Sequence, residues 1–260
     1  MNFSIQRFLK TLSTFPQAIR FIRKHRVWMG FWEYSWVSLI LIIVGLLFSL
    51  RFYGSFISWW SHIHIGNLSE LGSEISHLVG NTFHQSQSVI FSSGFKYFIF
   101  IMMEIVIFHS VGKTIEILTG RQDRVPSFRT FIAAQTRMIH ISISTWIKEL
   151  LATIAISIIL GILGWTYLKS ACVFIVSCYF IGFAMMDNYN ERLGMNIRQS
   201  LQFTRGFIGI ALAIGLVVYI IMLIPVIGSF LGPLIGGVTA TIILNQLLQP
   251  ETNEAYEYEM

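Results

Sequence analysis

Arg23, His25 and Arg26 stand within four consecutive positions, and this basic set is chemically suited to a small inorganic oxyanion. Guanidinium groups and unpaired backbone amides at a helix N-terminus can replace the hydration shell of such an anion. The same residues precede a long apolar run, where they could equally anchor a helix and set its orientation. Glu104 lies in the middle of another apolar run. An acid there costs roughly 2.5 kcal/mol or more unless it is paired, hydrated or protonated. It therefore faces protein or water, either as a relay or arginine partner near a pore, or as a hydrogen-bonding group between helices. Glu116, four residues before Gly120, closes that run and can cap, bridge or take part in transport. We expect substrate binding at Arg23, His25 and Arg26, and pore or coupling roles at Glu104 and Glu116.

Other chemistry is poorly supplied. His62 and His64 alternate in an irregular stretch without a nearby carboxylate set, so no metal site is expected. Cys172 and Cys178 are six apart in an apolar run, a spacing that suits neither a metal nor a redox pair. No nucleophile elbow, phosphate-binding loop or HExxH occurs, so neither an enzyme nor a bound cofactor is expected.

The elements that must position these residues belong to a membrane. Hydrophobic residues make up 54% of the chain, charged residues 12%, and the mean hydropathy is +0.66, far from average globular usage. The net charge of +5 does not point to nucleic acid, because the basic residues flank apolar runs instead of forming one basic domain. We expect one all-α membrane domain with two long transmembrane helices, two inserted helical hairpins and amphipathic surface helices. An interfacial helix should occupy residues 1–30, broken at Pro16. Long spans are expected at 31–53 and 89–111, and hairpins at 149–186 and 207–248. The first hairpin should turn at Lys169 and Ser170. Residues 128–147 read as interfacial, 187–206 as a surface helix and 249–260 as an acidic tail. Gly228, Gly232 and Gly236 suit close helix packing.

Of the 18 Lys and Arg, 15 fall before residue 30, in 112–148 or in 187–206, whereas Gly54 to Ser88 holds none. By the positive-inside rule those three stretches, and both termini, belong in the cytoplasm.

The order of parts resembles the CysZ-type sulfate permease family, which is homologous to the etoposide-induced membrane proteins. The resemblance is sharpest at Met185-Met186-Asp187-Asn188-Tyr189, at Arg192-Leu193-Gly194 and at Arg205-Gly206. It continues in the hairpin with Ile224-Pro225 and Gly232-Pro233, and is echoed in Val111 to Arg121. The family carries a Gly-Leu-Arg-like stretch that holds sulfate, and this sequence has Ile22-Arg23-Lys24-His25-Arg26-Val27-Trp28 in that region. The resemblance implies a homo-oligomer in a bacterial inner membrane, in contact with lipid and not with nucleic acid, that takes up sulfate or a related oxyanion. A non-transporting membrane scaffold or membrane-shaping protein of the same fold is the alternative.

Overall fold

The computed structural model describes residues 2–28, 95–120, 128–224 and 227–248. The expected span at 31–53, the stretch with His62 and His64, and the acidic tail lie outside them. The described residues are helical and contain no strand. They form α1 (Asn2–His25), α2 (Phe95–Thr119), α3 (Phe128–Ile162), α4 (Lys169–Arg192), α5 (Ile197–Arg205), α6 (Ile208–Met222) and α7 (Ile227–Leu248). Among the described residues, three helical stretches are long and apolar enough to cross a membrane: Gln135–Ile162, Lys169–Arg192 and Ile227–Leu248. The pair α5 and α6, bent by 98°, passes the same test if taken as one broken span. These helices are what an integral membrane protein requires.

Pro16 does not break α1, which runs unbroken through it. A proline inside a helix costs about 3 kcal/mol. Opposing this, Phe15, Ala18, Phe21 and Ile22 recur at helical spacing and are buried against α6 and α7. Close packing of these side chains on the hairpin, through many small dispersion contacts, offsets that cost and holds the helix in register. Arg7 fixes the other end, donating from Nη1 to the Gly206 carbonyl at 3.1 Å and lying 4.5 Å from the Phe207 ring centroid.

Three other boundaries differ from the sequence expectation. Residues 128–147 are not a separate interfacial helix but the first half of α3, a single helix of 35 residues, about 52 Å long at 1.5 Å per residue. Its buried face carries Met138, Ile141, Ser142, Thr145 and Glu149, a 3.6-residue periodicity that continues across the expected junction. Its outer faces expose Ile139, Ile143, Ile147, Leu151, Ile154 and Ile158, as a lipid-facing helix would. The turn into α4 comes earlier than Lys169 and Ser170. It is built at residues 163–165, with Gly164 at φ +72°, followed by a short 3₁₀ turn at Thr166–Leu168. At the far end, α4 continues to Arg192, so Asp187 and Glu191 belong to a membrane-length helix and not to a surface connection.

Among the described residues, α4 and α6 cross in close backbone contact. A Cβ added to Gly182 would sit 1.8 Å from the Ala211 carbonyl oxygen, and one added to Gly215 would sit 1.7 Å from that of Cys178. Reciprocal glycines let the two backbones touch, the packing solution favoured in membranes, where burial of apolar surface gives no drive. Gly228 likewise approaches Ile221, with 1.9 Å to its carbonyl oxygen for an added Cβ, so its place is in the packing of α7 on α6.

Candidate functional site

Between α2, α3 and α4 the sequence places ionisable residues at two levels. Lys96 on α2, Glu149 on α3 and Ser177 on α4 meet at one. Glu104 on α2, Arg137 on α3 and Asp187, Asn188, Glu191 and Arg192 on α4 gather at the other. The levels are separated by eight residues on α2, twelve on α3 and ten on α4, or about 12–18 Å along the helices. The order of contacts makes α2 and α4 run one way and α3 the other, which puts the same three helices around both sets.

The first set is closed on itself. Glu149 accepts from Lys96 Nζ and Ser177 Oγ at Oε1, and from Tyr97 OH at Oε2, 2.6 Å away. Lys96 Nζ also donates to Ser177 Oγ at 3.2 Å. The Lys96 and Glu149 side chains are only 2% and 10% exposed. Every acceptor oxygen of the carboxylate has a donor, which is how a buried charge is tolerated.

The second set is held by Arg137. Its guanidinium makes a two-pronged pair with Asp187, from Nε to Oδ2 at 3.1 Å and from Nη2 to Oδ1 at 2.9 Å. Nη1 reaches the Met195 carbonyl at 2.6 Å, and Glu191 Oε2 lies 3.6 Å from Nε. Planar pairing of this kind fixes direction as well as charge. Arg192 lies over the Phe108 ring, 3.8 Å from its centroid, and donates to the Phe108 carbonyl at 2.9 Å. Beside these groups Glu104 is 1% exposed, yet its Oε2 has no hydrogen-bond partner among the described residues, and neither has Asn188 Oδ1. Ser142 and Thr145, on the α3 face between the two levels, also carry buried hydroxyls without a partner.

Of the residues singled out in the sequence, Glu104 is the one brought into a constellation. Glu116 pairs with Lys113 at 3.0 Å on the same helix, both partly exposed. Arg23, His25 and Arg26 are exposed at the C-terminal end of α1, with the His25 ring 4.6 Å from that of Phe21 and Arg26 at φ +48°. That helix end presents carbonyls and not amides, so α1 itself contributes side chains alone to any anion held there. Among the described residues no group of three or more His, Cys, Asp or Glu is placed to hold a metal.

Sequence reasoning missed the pairing of Lys96 with Glu149 and of Arg137 with Asp187. The available signal was continuity. Once 128–162 is one helix, Arg137 and Glu149 fall within membrane-length sequence, where a charge needs a partner.

No protein-family model, no curated protein and no solved structure matches the chain.

Proposed function

We propose that the chain is a membrane transporter or channel for a small inorganic oxyanion, with sulfate the candidate that the family resemblance implies. The observation that carries the reading is the concentration of ionisable side chains between α2, α3 and α4, with the Glu104 carboxyl buried and incompletely bonded. Helices that only anchor a protein have no use for such groups, each of which costs roughly 2.5–3.5 kcal/mol at a bilayer centre. Ionisable residues at that depth mark ion and substrate pathways. Two guanidinium groups, Arg137 and Arg192, stand beside Glu104 and are suited to an oxyanion. Arg23, His25 and Arg26 supply a further exposed basic cluster, on the cytoplasmic side, that attracts the anion there. The site works in a bacterial inner membrane with the Arg137 end towards the cytoplasm.

A scaffold is the second reading. It is favoured by the closed Lys96, Glu149 and Ser177 network, which has the form of a structural lock, and by the exposed apolar faces of α3. Those faces suit assembly with further copies as well as lipid.

Uptake of radiolabelled sulfate into proteoliposomes, with phosphate and chloride as competitors and empty liposomes as control, separates the two. Saturable, sulfate-selective uptake supports the transporter. Uptake no faster than the empty vesicles, from folded protein, moves the reading to the scaffold.

A further inference from the structure

Glu104 and Asn188 stand at one height on neighbouring helices. The Arg192 guanidinium donates to the Phe108 carbonyl, which sets residue 108 of α2 beside residue 192 of α4. Glu104 and Asn188 each lie four residues earlier, about one helical turn. Both are buried, at 1% and 2% exposure, and the amide lies within hydrogen-bonding reach of the carboxyl. Asn188 Nδ2 donates to the Ala184 carbonyl at 3.2 Å, so the amide's orientation is set and Oδ1 is the atom left for the neighbouring helix. Neither that oxygen nor Glu104 Oε2 has a hydrogen-bond partner among the described residues. Two acceptors from two helices call for a positively charged guest.

The surrounding charges ask for the same. Asp187, Glu191 and Arg192 act on Glu104, as does Arg137. Among the described residues that makes three carboxyls against two guanidinium groups, and Arg137 is already engaged by Asp187 and the Met195 carbonyl. One surplus negative charge is neutralised by one monovalent cation, whereas a divalent ion would overshoot. A hard cation takes carboxylate, amide and water oxygens and needs no cluster of His, Cys or acids. We propose that Glu104 Oε2 and Asn188 Oδ1 bind a small hard monovalent cation between α2 and α4, with water completing its coordination. The bound ion joins the two helices one turn from the Arg192 contact. The inference concerns cation binding and holds whether or not the chain carries sulfate.

The test measures equilibrium binding of radiolabelled sodium to the full chain in an uncharged detergent, with choline chloride holding the ionic strength constant. The wild type should bind sodium saturably. Glu104→Gln and Asn188→Leu should each lose about tenfold or more in affinity, since removing even an outer partner of a metal ligand costs about 10–100-fold. The unfolding midpoint of the wild type should rise when sodium replaces choline, an arm that needs no variant to fold. Absence of saturable sodium binding, or an affinity unchanged in either variant, would overturn the proposal. A midpoint that answers to pH and not to sodium would assign the two oxygens to a shared proton, and would overturn it too. Sulfate uptake is read separately, so sodium binding without uptake leaves the cation site standing and counts against transport alone.

Discussion

The two ionic levels between α2, α3 and α4 are built from the same helices yet finished differently. At the Lys96 level both oxygens of Glu149 are bonded, by a lysine, a serine and a tyrosine. At the Glu104 level Arg137 and Asp187 satisfy each other, while Glu104 keeps an oxygen without a partner. A completed network fixes three helices in register and resists change. An incomplete one, with its carboxyl 1% exposed, leaves an acceptor oxygen open to a proton or a water. On the transport reading proposed above, the first level serves stability and the second a coupling role.

The comparison breaks most readily at Glu149. Replacing it by Ala strands the Lys96 ammonium in a buried position, and we expect a loss of about 3–5 kcal/mol, read as a fall in the thermal unfolding midpoint of the detergent-solubilised protein. The double replacement Lys96→Met with Glu149→Leu should recover most of that loss, because exchanging both charges for apolar groups is often neutral. A double variant as unstable as the single one would show that the network does more than satisfy its own charges. Arg137→Ala should be next in size, at about 3 kcal/mol, since it orphans Asp187. Asp187→Asn in the same background should restore part of the loss.

Smaller effects sharpen the contrast. Glu104→Gln keeps the shape and removes only the ability to ionise from a group that is already underbonded. Its stability change should be about 1 kcal/mol or less, and a loss as large as that of Glu149→Ala would erase the distinction between the levels. Glu116→Gln should change stability by about 0.5 kcal/mol or less, because its partner Lys113 is exposed and three residues away on one helix.

Much of this was visible in the residues themselves. The apolar runs gave helices α2, α4, α6 and α7, and a lone acid in such a run marked Glu104. Boundaries were less legible. Pro16 reads as a break unless the burial of Phe15, Phe21 and Ile22 against a distant hairpin is known, a tertiary effect that local propensity does not carry. Arg129, Arg137 and Lys148 made the start of α3 look like a surface helix, although a pairing partner for Arg137 waits fifty residues later at Asp187. Glu149 was obscured in the same way, because its three donors come from α2 and α4. The reciprocal glycines Gly182 and Gly215 were also silent in sequence. Each is ordinary alone, and only their meeting across α4 and α6 gives them meaning.

The most direct test of the account is sulfate uptake by Glu104→Gln in proteoliposomes, beside its unfolding midpoint. The account predicts a midpoint near the wild type and an uptake rate lowered about tenfold or more, equivalent to about 1.4 kcal/mol on the limiting barrier. Wild-type uptake from the folded variant would contradict it, and would leave the Glu104 level as another element of packing.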